Sequence, residues 1–492
     1  MLGLLRRHPV AVAVVLVFLA RLPALTRPLR ADEAGFLLVA RSWDPQPDSM
    51  FGPYWVDRPP LLIAVFKVVD LTGGEITLRL LGAAVAAAVV VLAAYVARLA
   101  TGLRAAPWAA FIAAALLANP MIDVVAVKGE LLALPLLLGS MLLTLSAVRR
   151  GSTWSAFAAG LAGATALGIK QNLASALVFA AVLLVASALA GRLHVRETLR
   201  LAGAGVAGAA VPVLATVGWA LESGVRLSTL WYAVYGFRTD AARVIADGAS
   251  DAPQRRAMIL IAIAIGCGLL PVIAGLFVHL RRLWPDDPPL VSATVSVVAF
   301  DVVALVAGGS YWQDYLVPLV PSAVLCVALV AGRPDRAGRI MRGVVVASVV
   351  SAVLAMVFWI VWNATGQQEF DEVHTGRAIA DAAEPGDTLV VFGGRADLQD
   401  TSGLSSPYPY LWSLPMRTRD PGYADLAALL GGPDAPTWLV EWVDFDAWTD
   451  TGVGQLGSVV DQRYVEHGTG CNGGTIYLLK GVERPEVTPD CG

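Results

Sequence analysis

Two adjacent acids, Asp32 and Glu33, follow the first long apolar run of the chain in the stretch "ADEAGF". A carboxylate whose pKa is raised by a like-charged neighbour and by partial burial can take a proton from a hydroxyl group. In an extended segment neighbouring side chains point apart, so one acid could face a substrate while the other holds a base such as Arg58 or Lys170, or an ion. The pair therefore indicates general-base chemistry close to a membrane surface.

Other charged and polar residues interrupt apolar sequence in "VDRPPLL", "VKGELL", "GIKQN" and "SYWQDYL". The two prolines fix an extended backbone and so aim the charges that precede them. The candidate residues in these stretches are Asp57, Arg58, Lys128, Glu130, Lys170, Gln171, Tyr311, Asp314 and Tyr315. Any one of these charges could belong to a solvated loop, but ionisable groups at membrane depth are costly and normally face a cavity or a partner. Their recurrence predicts a mixed-charge pocket that suits a phosphate ester whose lipid tail stays in the bilayer.

Aromatic residues near these charges are further pocket candidates. Tyr54 precedes the "VDRPPLL" stretch, and Tyr232 and Arg238 lie in "WYAVYGFR". Such side chains could stack on and hydrogen-bond a sugar, although anchoring in the headgroup layer is the alternative interpretation. We expect the loop 222–256 to cover the pocket and to become fully ordered only when substrate binds.

The elements that must position these residues are membrane helices. Of the 492 residues 57% are hydrophobic and 15% are charged, and the mean hydropathy is +0.65, which is too apolar for a soluble domain. Because about 20 apolar residues cross a bilayer, the sequence predicts a polytopic α-helical membrane protein. Eleven spans are predicted, near 9–25, 77–97, 106–120, 131–148, 154–168, 172–190, 200–221, 257–280, 289–307, 315–331 and 343–362.

The positions of the arginines predict how the chain is oriented in the membrane. If Arg6 and Arg7 lie inside, every loop that then falls inside is basic, as is typical of cytoplasmic loops. The loops 26–76 and 222–256 and the tail then share the outer face of the cytoplasmic membrane. A cysteine placed at Ser402 should accordingly react with an impermeant reagent.

The predicted domains are a transmembrane domain, residues 1–365, and an extracytoplasmic α/β domain, residues 366–492. The tail holds helix-like stretches in "DEVHTGRAIADAAEPGD" and "YADLAALLGG" and strand-like stretches in "TLVVFGG", "TWLVEWVDF" and "GTIYLLKG". Cys471 and Cys491 both lie in the tail, where an oxidising compartment would allow them to form a disulfide.

These elements together resemble the GT-C fold glycosyltransferases, in the branch of the protein O-mannosyltransferases and the lipid A aminoarabinose transferases. The resemblance spans roughly residues 1–360 and rests on the order of short elements: the acidic pair, "DRPPLL", "KGELLALPLLLGSMLL", "GIKQ" and "YLVPLVP". The sequence departs from the family pattern at Gly35, where aminoarabinose transferases carry an arginine soon after the acids, and at Asp314, where a histidine often precedes the tyrosine.

The resemblance implies transfer of a sugar from a polyprenyl-phosphate donor to a cell-envelope acceptor, a glycan, lipid or protein, with inversion. By this resemblance Asp32 is the catalytic base and Glu33 supports it. Glu130 corresponds to the acid at the head of the fourth span, and Arg58 contacts the lipid phosphate. Lys170 is a second cation for the phosphate, Lys128 a third, and Gln171 lies beside them. Membrane lipids are expected partners and nucleic acids are not.

No cluster of His, Cys and carboxylates has metal-ligand spacing, so no protein metal site is expected, although a divalent cation could help to neutralise the lipid phosphate. A lipid-linked sugar transporter or flippase is the alternative function. Transporters tend to show inverted repeats and broken helices at mid-membrane, whereas here the halves show no similarity and the charges lie at one interface. A non-catalytic scaffold displaying the tail would leave Asp32, Glu33 and Lys170 unexplained.

Overall fold

The computed structural model describes residues 7–123, 125–247, 252–366 and 370–491. The described chain is mainly helical up to Ala364 and forms a small sheet near its C-terminus. In chain order the helices of the first part are α1 (Pro9–Arg21), α2 (Ala31–Arg41), α3 (Pro60–Leu71), α4 (Gly74–Thr101), α5 (Ala106–Leu117), α6 (Gly129–Arg150), α7 (Thr153–Ile169), α8 (Ser175–Leu189), α9 (Val195–Glu222), α10 (Leu227–Trp231), α11 (Phe237–Asp247), α12 (Ala252–Gly266), α13 (Leu269–Leu283), α14 (Pro288–Ala307), α15 (Val320–Ala331) and α16 (Arg336–Ala364). Shorter segments between them are the 3-10 turns Leu22–Thr26, Pro120–Ile122 and Gln313–Leu319 and the π-helical turn Tyr232–Gly236.

Each of the eleven predicted spans coincides with an apolar helix or helix pair. Seven helices of the described chain are long and apolar enough to cross a membrane: α1 and α15, each with its adjoining 3-10 turn, and α4, α6, α9, α14 and α16. The pair α12 and α13, bent by 71°, could form an eighth span. Helices α5, α7 and α8 have only 12, 17 and 15 residues, so length does not qualify them as full spans.

Small residues allow α7 and α9 to pack closely. A Cβ atom on Gly160 would lie 1.9 Å from the carbonyl oxygen of Gly205, and one on Gly208 would lie 1.9 Å from that of Phe157. Close backbone approach through small residues is the usual packing device where lipid gives no hydrophobic drive between helices. The alanine- and glycine-rich stretches thus serve packing and not chemistry.

Two short helices, α2 and α3, lie in the first outer loop. The carboxylate of Glu33 accepts a hydrogen bond from the backbone N–H of Arg30, which caps the first turn of α2. Helix α3 begins at Pro60, whose fixed φ suits a first helical position. The "ADEAGF" stretch is therefore helical and not extended, so Asp32 and Glu33 diverge because successive helical residues point in different directions.

The C-terminal part is an α/β unit. Its helices and strands are α17 (Asp371–Ala382), β1 (Leu389–Phe392), α18 (Ala396–Ser402), α19 (Ser413–Arg419), α20 (Ala424–Gly431), β2 (Trp438–Glu441), α21 (Val453–Arg463), β3 (Tyr464–Thr469) and β4 (Thr475–Leu479). All five segments predicted for the tail are present. The sequence did not indicate β3, α18, α19 or α21; β3 in particular lacks apolar alternation because only one of its six residues is buried. The predicted boundary between residues 365 and 366 stays a prediction, and it adjoins residues 367–369, which lie outside the described residues.

The four strands form one sheet in the order β1, β2, β4, β3. Strands β1 and β2 are parallel, whereas β4 is antiparallel to both of its neighbours. Apolar clusters cover both faces, one around Phe392 and Tyr423 and the other around Trp438 and Ile476. Cys471 and Cys491 are joined by a disulfide, with Cα atoms 5.4 Å apart.

The C-terminal part docks on the first outer loop through specific contacts. The hydroxyl of Tyr54 accepts a hydrogen bond from the backbone N–H of Ser406 at 3.0 Å, and the backbone N–H of Trp55 donates to Pro409 at 2.9 Å. Arg41, at the end of α2, bonds Asp400 of α18 at 2.5 Å. This docking places the segment before α19 directly over α2.

Candidate active site

Asp32 is held by groups from two distant parts of the chain. Its Oδ1 accepts a hydrogen bond from Nε1 of Trp412 at 3.0 Å, and its Oδ2 lies 3.4 Å from Nζ of Lys128. The side chain is 30% exposed, so a substrate can reach it. The indole thus orients the carboxylate through Oδ1, Lys128 lies beside Oδ2, and the side chain as a whole is partly accessible.

Trp412 reaches Asp32 because residue 35 is a glycine. A Cβ atom on Gly35 would lie 2.2 Å from Cζ2 of Trp412. The indole also packs against the ring of Phe36, with centroids 5.6 Å apart. The departure from the family pattern at Gly35 therefore makes room for a side chain that comes from the C-terminal part.

Lys128 is the centre of a group of carboxylates. Its Nζ lies 3.1 Å from Asp123, 3.4 Å from Asp32 and 3.6 Å from Asp314. Burial lowers the pKa of Lys128, but these carboxylates raise it by more, so the pKa lies well above its ordinary value. Lys128 is therefore a fixed positive charge.

The same cations set the protonation state of Asp32. Burial raises the pKa of Asp32, but Lys128, Arg58 and Lys170 together lower it by more, so the pKa lies below the ordinary value for aspartate. The expectation that a like-charged neighbour and burial would raise this pKa is wrong for Asp32, because the nearby cations outweigh the effect of burial. Asp32 is consequently ionised at neutral pH and ready to accept a proton.

Glu33 faces the protein interior and not the pocket. It is fully buried, pairs with Arg79 of α4, and accepts a hydrogen bond from the backbone N–H of Val127 at 2.6 Å. Arg79 is itself 3% exposed and donates to the carbonyl of Pro28 at 3.0 Å. The partner of Glu33 is therefore Arg79, and the expectation that it holds Arg58, Lys170 or an ion is corrected.

Six side chains form a cluster that we call the charged group: Asp32, Asp57, Arg58, Lys128, Glu130 and Lys170. Arg58 and Asp57 are its second part. Arg58 bonds Asp57 at 2.6 Å, and its guanidinium carbon lies 5.7 Å from the ring centroid of Phe36. The other oxygen of Asp57 lies 2.5 Å from Arg238 of α11. Gln171 donates to the carbonyl oxygen of Asp57 at 3.0 Å. The loop 222–256 thus contributes Arg238 to the site, while its residues 248–251 lie outside the described residues and its behaviour as a cover stays a prediction.

The third part of the charged group lies between α6 and α7. Glu130, in the first turn of α6, pairs with Lys170, which directly follows α7. Nζ of Lys170 lies 5.6 Å from the ring centroid of Tyr315. Both members of the pair are buried. Three cations, Arg58, Lys128 and Lys170, therefore surround Asp32 from three different segments.

Three aromatic candidates make their contacts elsewhere. Tyr54 bonds the C-terminal part, Tyr232 donates to Asp240 at 3.0 Å, and the hydroxyl of Tyr311 lies 3.4 Å from the carbonyl oxygen of Val306. Tyr232 also stacks with Arg419, whose guanidinium carbon is 5.1 Å from its ring centroid. The contacts described for these tyrosines are docking and packing contacts, and their place in the pocket stays a prediction.

The donor set of this site does not fit a divalent cation. Within the part of the chain that the structure describes, no three His, Cys, Asp or Glu side chains are grouped to hold a metal ion. The aspartates nearest to one another are gathered around the ammonium group of Lys128, which occupies the position that an ion would need.

Sequence reasoning missed three residues of the site: Arg79, Asp123 and Trp412. An arginine inside the predicted span 77–97 was a signal for Arg79, because such a charge is costly without a buried partner. Asp123 adopts a positive φ of 53°, which Asp tolerates better than most residues. Trp412 gave no signal, since its contact with Asp32 depends on docking between parts 380 residues apart.

Comparison with known proteins gives structural matches alone: no family model and no curated protein matches the sequence. The chain is similar to the crystal structure of ArnT from Cupriavidus metallidurans bound to undecaprenyl phosphate, with 15% identity, a TM-score of 0.61, and coverage of 95% of this chain and 97% of that one. It is also similar to the Archaeoglobus fulgidus oligosaccharyltransferase in complex with Zn and sulfate, with 12% identity, a TM-score of 0.53, and coverage of 96% and 73%.

Likeness at this level of identity establishes the fold. Both matches extend over nearly the whole of this chain, including its C-terminal part. The chain is a multi-pass membrane protein with the GT-C fold, as the order of its short elements implied.

Proposed function

We propose that the chain is a membrane glycosyltransferase that moves a sugar from a polyprenyl-phosphate donor to a cell-envelope acceptor on the outer face of the cytoplasmic membrane. The observation that carries this proposal is the position of Asp32: it is ionised, accessible and oriented by Trp412, beside the cations Lys128 and Arg58. The fold adds support, because the ArnT structure that shares it holds undecaprenyl phosphate.

Arg58 and Lys170 are the cations best placed to bind the donor phosphate. Lys128 is already surrounded by Asp32, Asp123 and Asp314, so its charge is compensated. Arg58 and Lys170 each have one close carboxylate, which leaves donor capacity for a phosphate. Arg238, which shares Asp57 with Arg58, would join them from the second outer loop.

The proposed reaction is a single displacement with inversion. As the acceptor oxygen bonds to the anomeric carbon, Asp32 takes the hydroxyl proton. The bond from that carbon to the phosphate oxygen breaks, and its electron pair leaves with the lipid phosphate. Arg58 and Lys170 stabilise the charge that grows there, which favours the transition state over the ground state. The proton then passes from Asp32, whose side chain is partly exposed, to solvent.

A chain of this size with this many apolar helices could also be a transporter of lipid-linked sugars. The bend between α12 and α13 is the broken-helix feature that such a function would use, but no acidic or basic residue lies in its break, "GCG" at 266–268. The charged side chains instead gather around Asp32 at the ends of the helices. This distribution favours the enzyme.

The proposal is tested with the purified full-length chain in nanodiscs and a panel of polyprenyl-phosphate sugars, with a bacterial envelope lipid extract as acceptor. We expect release of free polyprenyl phosphate with at least one donor. A transporter would move the donor between leaflets without releasing lipid phosphate, and that result would overturn the proposal. Asp48→Asn, an exposed acid of the same outer loop, is the matched control variant and should release lipid phosphate as the unmodified chain does.

A further inference from the structure

Arg419 is the last residue of α19 and lies where three separate parts of the chain meet. Its guanidinium carbon is 5.6 Å from the ring centroid of Trp55, in the first outer loop, and 5.1 Å from that of Tyr232, in the second. The guanidinium group also interacts with the hydroxyl groups of Tyr232 and of Tyr410, which belongs to the C-terminal part. Arg419 therefore joins the two outer loops to each other and to the C-terminal part.

Aromatic side chains, and not an ion pair, hold this arginine. Arg419 is exposed, and no carboxylate of the described chain lies within ion-pair distance of it. A guanidinium group is planar, so its faces can stack on rings while its N–H edges bond hydroxyl oxygens. An ammonium group is a compact charge and cannot do both, so the contact is specific for arginine.

The contacts of Arg419 lead to the cations proposed for the donor phosphate. The ring of Trp55 packs on that of Phe237, with centroids 4.5 Å apart, and Phe237 is fully buried at the start of α11. The next residue, Arg238, bonds Asp57 of the first outer loop at 2.5 Å. The position of Arg238 therefore depends on how the first outer loop and α11 are held together.

Helix α19 connects this junction with the proposed base. Trp412 directly precedes the helix and donates to Asp32, whereas Arg419 ends it. Between them Met416 is fully buried in the core of the C-terminal part. One short helix thus supplies a contact for the base at one end and a contact for the outer loops at the other.

We infer that Arg419 is a positioning residue for donor binding, which holds α11 so that Arg238 stays beside Arg58 and within reach of the donor phosphate. The inference rests on the proposed function, because it requires a phosphate group to bind at these cations. A cation that is already in place binds its ligand more tightly than one on a loop that must first be ordered, since ordering uses part of the binding free energy. Arg419 acts through Arg238 and not by contact with the donor.

The test measures undecaprenyl phosphate binding by native mass spectrometry, with the full chain in phosphatidylcholine nanodiscs. Arg419→Ala should weaken binding by about 5-fold, which is the size expected when a cationic side chain must be ordered on binding. Arg419→Lys should restore only part of this loss. Arg417→Ala is the matched control: it lies on the same helix, and its guanidinium carbon is 5.4 Å from the ring centroid of Trp448, within the C-terminal part. This control should bind undecaprenyl phosphate normally.

A double-mutant cycle tests whether Arg419 acts through Arg238. Arg238→Ala should itself weaken binding, and adding Arg419→Ala to it should cause no further loss. Turnover gives a second measurement: Arg419→Ala should raise the KM for the donor and leave kcat unchanged, because it removes binding energy common to the ground state and the transition state. Trp412→Phe, at the other end of α19, should lower kcat instead. General loosening of the fold would not separate the two constants in this way.

Three outcomes would overturn the inference and leave the donor site standing, provided that Arg58→Ala weakens binding. The first is normal binding in Arg419→Ala. The second is an equal loss in Arg417→Ala, which would reduce the effect to loosening of the C-terminal part. The third is additive losses in the double variant, since Arg419 would then act without Arg238. Normal binding in both Arg58→Ala and Arg238→Ala would overturn the proposed donor site and this inference with it.

Discussion

At the scale of single residues, the site depends on how the carboxylate of Asp32 is held. Trp412 donates to one oxygen, and Lys128 stabilises the charge. A base with a lowered pKa is a weaker proton acceptor, but it is always in its active form at neutral pH. The surrounding cations therefore serve two purposes, keeping Asp32 ionised and preparing a place for a leaving phosphate.

Lys128→Gln should raise the pKa of Asp32, because it removes the cation that lowers this pKa most. The base works only when deprotonated, so activity is lost as the pH falls through its pKa. The unmodified chain should thus keep kcat/KM constant from pH 7 down to about pH 5, whereas the variant should begin to lose it at a higher pH. The measurement is a pH–rate profile with Lys128→Arg as the charge-conserving control. An acid limb at the same pH in both variants would contradict this assignment.

Trp412→Phe should keep an aromatic ring above Gly35 but remove the N–H donor to Asp32. We expect kcat to fall by about 5–10-fold, which corresponds to the loss of one ordinary hydrogen bond. The thermal unfolding temperature should change little. Gly35→Ala should displace the indole and give a similar loss. Full activity in Trp412→Phe would show that the indole only packs.

How far the residues of the site can be predicted depends on their surroundings. Charges that interrupt apolar sequence can be recognised from the sequence, because water or a partner must compensate them. Lys128, Glu130 and Lys170 are of this kind. Aromatic residues are ambiguous, and Tyr54 turned out to dock the C-terminal part. Trp412 lies in an ordinary tail sequence, and its role depends on tertiary contacts that have no local pattern.

At the scale of elements, α2 and α4 are joined by a buried ion pair. Glu33 and Arg79 are both buried, and the backbone N–H of Val127 bonds the same carboxylate. This pair fixes the first turn of α2, and with it Asp32, against the membrane helices. The sequence singled out the acidic pair, but it did not predict which acid faces inward.

Glu33→Gln should therefore damage the fold and not the chemistry. It leaves the Arg79 charge buried without compensation, and breaking such pairs typically costs about 3–5 kcal/mol. The expected result is a marked fall in the thermal unfolding temperature of the detergent-solubilised chain. Glu75→Gln, on the same helix as Arg79 and partly exposed, is the matched control and should unfold near the normal temperature. Unchanged stability in Glu33→Gln would contradict the structural role.

At the scale of the whole molecule, the C-terminal part completes the site, since Trp412 comes from it and Tyr54 and Arg41 hold it in place. The α/β character of this part was predictable from alternating helix-like and strand-like segments. Its position over α2 was not, because docking surfaces carry no periodicity. The same docking requires the C-terminal part and the loop 26–76 to lie on one side of the membrane.

Labelling can test which side of the membrane carries the C-terminal part. Ser402 is a poor reporter because the structure buries it, whereas Ser458 of α21 is exposed. Ser458→Cys should react with an impermeant maleimide in intact cells, since the basic loops predict an outer location for this part. Cys267 and Cys326 are buried and should give no background. Labelling that succeeds only after the cells are opened would contradict the predicted topology.

The central claim is that Asp32 is the general base, and turnover of Asp32→Asn tests it most directly. The variant keeps the size of the side chain and an acceptor oxygen for Trp412, so folding and undecaprenyl phosphate binding should persist. Release of lipid phosphate in the presence of acceptor should fall by at least ~100-fold, the size of a general-base contribution. Full turnover in Asp32→Asn, measured with a folded protein that binds undecaprenyl phosphate normally, would contradict the account.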